Sequence, residues 1–581
     1  MKIKLKLQNL VWRAGKKFVK DLKLSDVHLE HPENPDHGDY SSNIALVFAK
    51  KEGKKPVELA RKIIKQIEKT EEIERVQLLR PGFINFWLSQ AWLGKQVEEV
   101  IKEKDKFGGL TIGKGKKLMV EFSHPNTLKP FHIGHLRNII LGESICRILA
   151  ANGFKVIRAN YQGDVGLHIA KCLWAFAKLK TNPQTLDQKI EFLGKAYAEG
   201  NEAYEENEKA KKEIIELNHK IYEKDSEIMP LWKETRAWSL DYFDRIYKRV
   251  DTKFDRLYFE NEVAEQGKKI VLQHLDKVFA KSEGAIIFDG EKYGLHKRVF
   301  INKLGFPTYE AKDMELARLQ FKEHNPDLII HVVGPEQQSY FQVVFKALEL
   351  IFPETKDKEY HRVYGWVRLK KGKMASRLGK VVLGEWLIDE VKKRLSKEFK
   401  MEDASLEIVA VAAVKYSMLK LSPLSEIAFD IDESISLEGN SGPYLQYTYA
   451  RCCSVLQKAV SWCPTSIVPP SEEPELSSVT SQEGLPNIEE LALLRIIYKF
   501  PEVVLEAGER YAPNLICNFL FDLAQKFNLF YSKHRIIASS HLRGVQAHTS
   551  QERLRLALTT SVSQVLKNGL NMLGIKTLEK M

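Results

Sequence analysis

The segment Glu121-Phe-Ser-His-Pro-Asn-Thr-Leu-Lys-Pro-Phe-His-Ile-Gly-His-Leu-Arg137 carries the residue types that a polyphosphate site needs. An apolar run closes at its start, two prolines stiffen the crossing, and His132 and His135 flank Gly134 where a helical pattern begins. Imidazoles at a helix N-terminus can donate hydrogen bonds to phosphate oxygens, and a residue without a Cβ lets a flat base approach the backbone. Two histidines three apart are in isolation more often core packing or a surface coincidence. It is the order of strand, proline-rich turn, His-x-Gly-His and helix that favours phosphate chemistry. A second basic cluster, Lys373-Met-Ala-Ser-Arg377, lies between Gly372 and Gly379. Taken alone, Lys370 to Lys380 is a basic surface turn. One further phosphate motif fails: Gly108, Gly113 and Lys114 match G-x-x-x-x-G-K, but Gly115 stands where a hydroxyl is needed, and a strand follows instead of a helix.

A third constellation is Phe306-Pro-Thr-Tyr-Glu-Ala-Lys-Asp313. Thr308 is a plausible N-cap after Pro307, and Tyr309 and Asp313 then stand four apart on one helical face, a phenol beside a carboxylate. On its own terms Asp313 is equally a solvent-facing helix residue and Tyr309 a core aromatic with a wet hydroxyl.

These residues need elements to hold them. Lys117 to Phe122 reads as a strand, residues 135–152 as a helix closing on Gly153, and Lys155 to Tyr161 as a second strand. That is a βαβ unit, which predicts a parallel sheet with its ligand at the carboxyl ends of the strands. Helical, charged spacing over about 170–283 predicts an insertion, after which the sheet is expected to resume with Gly284-Ala-Ile-Ile-Phe-Asp289 and Asp327 to Val333. Residues 1–112 read as an α+β domain, 113–404 as the nucleotide-type domain with its insertion, and 405–581 as all-helical, with a Pro/Ser/Glu-rich disordered loop over about 464–486.

Composition bounds the function. At 581 residues with 44% hydrophobic and 29% charged side chains, the chain is a multidomain globular protein. Its net charge of +12 makes a polyanionic partner worth expecting. Residues 1–24 hold eight basic residues, Lys2 to Lys23, against Asp21 alone; without an apolar stretch this is a solvated face and no targeting peptide. No apolar run is long enough for a membrane. The six cysteines form no C-x-x-C pair and no zinc spacing, so a reduced cytoplasmic protein without structural zinc is expected, and Cys146 and Cys172 read as small buried hydrophobes.

His132-Ile-Gly-His135 resembles the first signature of class I aminoacyl-tRNA synthetases, and Lys373-Met-Ala-Ser-Arg377 resembles their second, with Ala375 and Arg377 as departures that leave both charges in place. The flanking Lys129-Pro-Phe-His, the turn Asn160-Tyr-Gln-Gly-Asp-Val-Gly166 and Gly442-Pro-Tyr-Leu-Gln-Tyr447 resemble the arginyl branch, over essentially the full length. The resemblance implies a split Rossmann-type α/β catalytic domain with a helical insertion, an α+β N-terminal domain and an all-helical anticodon-binding domain. It implies ATP-dependent ligation of L-arginine to tRNA(Arg) through an arginyl-adenylate, with Mg²⁺ accompanying ATP, in a monomer away from membranes. A non-catalytic tRNA-binding paralogue and another class I synthetase are the alternatives.

By motif position, the resemblance implies catalytic roles for Lys129, His132, Gly134, His135, Lys373, Met374, Ser376 and Arg377, with Gly334 and Glu336 also on the ATP side. It implies Tyr309, Asp313 and Gln337 around the arginine guanidinium, and Glu121 and Asn126 near its α-amino and carboxylate groups. A planar cation with five N–H donors does call for carboxylates and neutral acceptors in a dry pocket. For RNA it implies Asn43, Phe83 and Asn85 at the tRNA elbow, and Tyr444, Tyr447, Arg451 and Met581 at the anticodon.

Overall fold

The structure, a computed structural model, describes residues 2–179, 183–370, 382–462, 486–537 and 549–581. Helix α1 (Lys2–Gly15) buries Ile3, Leu7, Leu10, Val11 and Ala14 at helical spacing, which turns Lys2, Lys6 and Arg13 to solvent. It packs with a small antiparallel sheet of β1 (Tyr40–Ser42), β2 (Ile73–Leu79) and β3 (Phe83–Leu88) in the order β1-β3-β2.

The chain then enters β4 (Lys117–Glu121), helix α2 (Ile133–Ala151) and β5 (Lys155–Gln162), the expected βαβ unit. Helices α3 (Leu167–Phe176), α4 (Leu186–Glu206), α5 (Glu208–Tyr222) and α6 (Met229–Arg249) form the insertion, with Ile169, Leu173, Leu193, Ala196, Ile214 and Trp238 in a core of its own. Strand β6 (Arg256–Phe259) returns to the main sheet and helix α7 (Glu260–Gln273) follows. A three-stranded antiparallel sheet comes next: β7 (Ala280–Ser282), β8 (Ala285–Phe288) and β9 (Arg298–Ile301). Helix α8 (Tyr309–His324), strand β10 (Leu328–Val333), helix α9 (Gln338–Ile351), strand β11 (Glu359–Val363) and strand β12 (Val367–Leu369) complete the run. The main sheet is fully parallel in the order β11-β10-β4-β5-β6. Because β5 lies on one side of β4 and β10 on the other, the chain reverses direction across the sheet there, and the crevice opens at their carboxyl ends, beside Glu121, Gln162 and Val333.

The expectation that Gly284–Asp289 rejoins the parallel sheet is wrong. Glu283 and Gly284 both have positive φ, 47° and 81°, and close a two-residue hairpin between Ser282 and Ala285, so local antiparallel pairing prevails over a long crossover. The sheet instead gains β6 and β11, both short and polar enough to hide from an apolar-run reading. It follows that the helical part of the insertion ends at Arg249, well before residue 283.

Beyond β12, helices α10 (Gly384–Glu398) and α11 (Asp403–Leu419) lead to strand β13 (Ile427–Phe429), which pairs in parallel with β12. The C-terminal part is helical: α12 (Gly442–Trp462), α13 (Ile488–Ile497), α14 (Phe500–Glu509), α15 (Asn514–Lys533) and α16 (Ser550–Met572). It closes on the N-terminal unit, where Glu502 accepts hydrogen bonds from Tyr40 and His31, and Arg495 pairs with buried Asp39. Among the described residues no helix is long and apolar enough to cross a membrane.

Candidate active site

Helix α2 begins at Ile133, two residues earlier than its apolar spacing suggests, because the histidines cap it. Nδ1 of His132 accepts from the backbone N–H of Gly134 (3.1 Å) and His135 (3.3 Å), and Nδ1 of His135 accepts from the N–H of His132 (3.2 Å). This is a capping box built from two imidazoles, whose rings stack 3.7 Å apart. Its chemical consequence follows from the tautomer: a ring whose Nδ1 accepts carries its proton on Nε2, which is left as a donor. Burial, followed by the nearby Lys129 charge, pushes the His132 pKa down to about 4, and burial with the neighbouring His132 and His124 pushes His135 well below its ordinary value. Both rings are therefore neutral donors at pH 7. As neutral rings they bring hydrogen bonds and no charge. Gly134 is needed for a related reason. A Cβ there would lie 2.9 Å from the His132 ring that caps the helix.

Lys129 stands beside this cap with its ammonium over the Tyr197 ring at 5.2 Å, which brings the insertion to the cleft. Lys373, Met374, Ser376 and Arg377 lie outside the described residues. Gly334 and Glu336 follow β10 on a tight turn (Pro335–Gln337), where Glu336, Gln337 and Gln338 are all exposed.

On the amino-acid side, Asp313 is the focal group. Its Oδ2 accepts from Tyr340 at 2.6 Å, while its Oδ1 is buried with no hydrogen-bond partner among the described residues. Burial, opposed by Tyr340 and reinforced by Glu121, lifts its pKa to about 8. The phenol beside this carboxylate is thus Tyr340, three residues after Gln337, and not Tyr309. Tyr309 is 51% exposed and faces a cavity of about 420 Å³, shared with His168, Tyr197, Tyr222, Phe306 and Lys312. Thr308 does occupy the N-cap position, yet its hydroxyl donates to the Val299 and Phe300 carbonyls and caps nothing.

Asn126 bridges to Gly163 at the end of β5, where an added Cβ would collide with Asn126 Oδ1 and approach Glu260 Oε1 to 3.1 Å. Glycine is required there because two polar side chains converge on its backbone. Glu260, at the first turn of α7, is buried and paired with Lys312, itself 4% exposed. Lys312 lies in the Phe306–Asp313 segment, but Glu260 belongs to no motif, and sequence reasoning missed this buried carboxylate. Glu121 departs from expectation in a different way. It is 2% exposed, with Oε1 accepting from His331 Nδ1 (3.0 Å) and Oε2 from Gln320, while His331 Nε2 meets Glu359 at 2.7 Å. Burial alone would lower the His331 pKa, but the two carboxylates outweigh it and lift it to about 10, which locks it as an imidazolium. Glu121 is consequently a buried anchor, with each oxygen bonded to a protein donor.

The RNA-side residues divide. Asn85 is buried, its amide accepting from Ser41 and donating to the His37 carbonyl (2.6 Å), so it builds the N-terminal unit and offers nothing to RNA. Asn43 and Phe83 are half-buried. Tyr444 is also buried, its hydroxyl bonded to Asn528, which removes it from the proposed stacking face. Tyr447 and Arg451 remain, the guanidinium lying 4.8 Å from both the Tyr447 and the Tyr531 rings. Tyr531, 41% exposed on α15, was missed because it lies far away in sequence. Met581 is 36% exposed.

Among the described residues no group of three or more His, Cys, Asp or Glu is arranged to hold a metal ion. The family described as tRNA synthetases class I (R), catalytic domain, matches residues 96–431, flanked by the arginyl-tRNA synthetase N-terminal domain over 3–88 and the DALR anticodon-binding domain over 445–581. Arginine–tRNA ligase of Treponema denticola is 34% identical over 575 residues, 96% of this chain and 95% of the relative. That of Clostridioides difficile is 31% identical, covering 97% and 98%. The solved Thermus thermophilus arginyl-tRNA synthetase shares the fold, with a TM-score of 0.77 at 23% identity over 99% of both chains. Full-length similarity to these ligases, on a parallel sheet whose first helix is capped by His132 and His135, means that this chain belongs to the arginyl-tRNA synthetase family of class I.

Proposed function

We propose that this chain ligates L-arginine to tRNA(Arg): the arginine carboxylate attacks the α-phosphorus of ATP, pyrophosphate leaves, and a ribose hydroxyl of the terminal adenosine then takes the arginyl group and releases AMP. Catalysis is positioning and electrostatics. His132 and His135 donate Nε2–H to phosphate or ribose oxygens, with the N-terminus of α2 behind them. Lys129, Lys373 and Arg377 supply charge, and Mg²⁺ arrives with ATP as part of the substrate. Asp313 takes the guanidinium, with Gln337 on the adjoining turn and Tyr309 as the exposed wall. Glu260 and Asn126 line the floor beside Gly163. Tyr447, Arg451 and Tyr531 make the face for unpaired anticodon bases. The protein works as a cytoplasmic monomer.

The observation that carries this reading is the half-satisfied Asp313 carboxylate. A buried oxygen without a donor is costly, and a cation with N–H groups is what such a site lacks. Lysine, a point charge with a shorter reach, leaves those groups unpaired, so such a pocket can reject it by roughly 10⁴ without an editing domain. The test is ATP–pyrophosphate exchange with arginine, lysine or no amino acid, each with and without tRNA. Arginine-specific exchange is expected. Absence of exchange with any amino acid in the presence of tRNA would make the chain a tRNA-binding paralogue.

A further inference from the structure

Arg137, in the second turn of α2, is 2% exposed and, among the described residues, has no carboxylate as a hydrogen-bond partner. Its Nη1 donates to the Trp366 carbonyl (2.6 Å), and its Nη2 to those of Pro423 (3.0 Å) and Ser425 (2.8 Å). The Tyr364 ring lies 5.6 Å from the guanidinium. Burying a charge against carbonyls alone is expensive, and a core would be served as well by an apolar side chain. The arrangement makes sense if the geometry of the fork matters, since only a planar guanidinium reaches two strands at once.

Those carbonyls belong to the approaches of β12 and β13. Trp366 O also accepts from Ile427 N–H (2.8 Å), Pro423 O from Gly365 N–H (2.9 Å), and a Cβ on Gly365 would meet Ser425 O at 2.6 Å. Arg137 therefore sits on the knot that starts this two-stranded ladder, which is separate from the five-stranded sheet. Asn138 fastens the same turn of α2 to the main sheet, accepting from Ser123 N–H and donating to Val332 O (2.7 Å) and Tyr364 Oη (3.2 Å). Two consecutive side chains thus tie the helix capped by His132 to the ends of β4 and β10 and to the β12–β13 pair. In the sequence, Lys373 and Arg377 lie four and eight residues beyond Leu369, the last residue of β12.

We infer that Arg137 is a positioning residue for amino-acid activation, fixing the β12–β13 ladder against the helix that presents His132 and His135. The inference rests on the activation chemistry proposed above. Misplacing reacting groups by about 1 Å can cost on the order of 10²-fold in rate. Pyrophosphate exchange should distinguish this role from simple packing. In Arg137→Ala, kcat should fall about 10²-fold per folded molecule, while arginine KM and tRNA affinity stay at wild-type values. Arg137→Lys should recover part of the loss. Guanidinium ion at low millimolar concentration, with arginine saturating, should restore activity to Arg137→Ala by refilling the vacated seat. If Arg137→Ala loses stability but each folded molecule exchanges at the wild-type rate, or if guanidinium and Arg137→Lys both fail to rescue, the inference is overturned. Lys373→Ala is the control: undiminished exchange in that variant would instead overturn the role proposed for the second signature.

Discussion

The two halves of the cleft are built on opposite plans. The nucleotide half is local: His132, Gly134 and His135 lie within four residues, cap their own helix and set each other's tautomer through backbone hydrogen bonds. The amino-acid half is assembled from a distance. Asp313 meets Tyr340 from the next helix, Glu260 meets Lys312, and His331 is held between Glu121 and Glu359 across three adjacent strands. The difference follows from the ligands. A polyphosphate needs donors and an open helix end, which one turn of backbone can supply. A guanidinium needs buried carboxylates, which must be desolvated and oriented by partners from several elements.

The largest effect should come from the assembled half. Asp313→Asn removes the charge and leaves the shape, so kcat/KM for arginine in pyrophosphate exchange is expected to fall about 10³-fold with folding intact. Unchanged arginine kinetics would remove Asp313 from the pocket. In the local half, His135→Ala deletes one Nε2 donor and part of the cap, and kcat for activation should fall about 10²-fold. tRNA affinity should hold, and an equal loss of tRNA binding would show the cap to be a structural feature alone.

A smaller effect separates the halves by pH. Asp313 holds its proton up to about pH 8, whereas guanidinium binding requires the carboxylate. Arginine affinity should therefore rise about tenfold per unit as pH increases towards 8 and then level off. ATP affinity should not follow, because His132 titrates near 4. A flat arginine profile between pH 6 and 8, measured at fixed ionic strength, would contradict the raised Asp313. The smallest change is Tyr340→Phe. It removes a hydrogen bond that lowers the Asp313 pKa, so arginine should bind several-fold more weakly, on the order of 1 kcal/mol, and the midpoint of that profile should move upward. A downward shift would mean that another donor holds Asp313.

The same contrast explains what could be read before the structure. The βαβ unit and its ligand crevice were visible because apolar runs and the His-x-Gly-His motif are written over a few dozen residues. Asp313 was visible as a residue, but its phenol was assigned to Tyr309 through helical spacing, while the fold brings Tyr340 there from α9. Glu121 was placed at the substrate by motif position; its strand register opposite His331 makes it an anchor. The Ala285–Phe288 strand was read correctly as a strand and assigned to the wrong sheet, because two positive-φ residues turn it back on its neighbour.

The sequence by itself determined the fold class, the His-x-Gly-His start of the helix and the family, since these reside in short, ordered patterns of residue type. The tertiary structure alone decided which carboxylates are free, which are paired and which histidine is charged. Those properties depend on burial and on partners hundreds of residues away, as when the His331 imidazolium is fixed between Glu121 and Glu359, and no local pattern encodes desolvation.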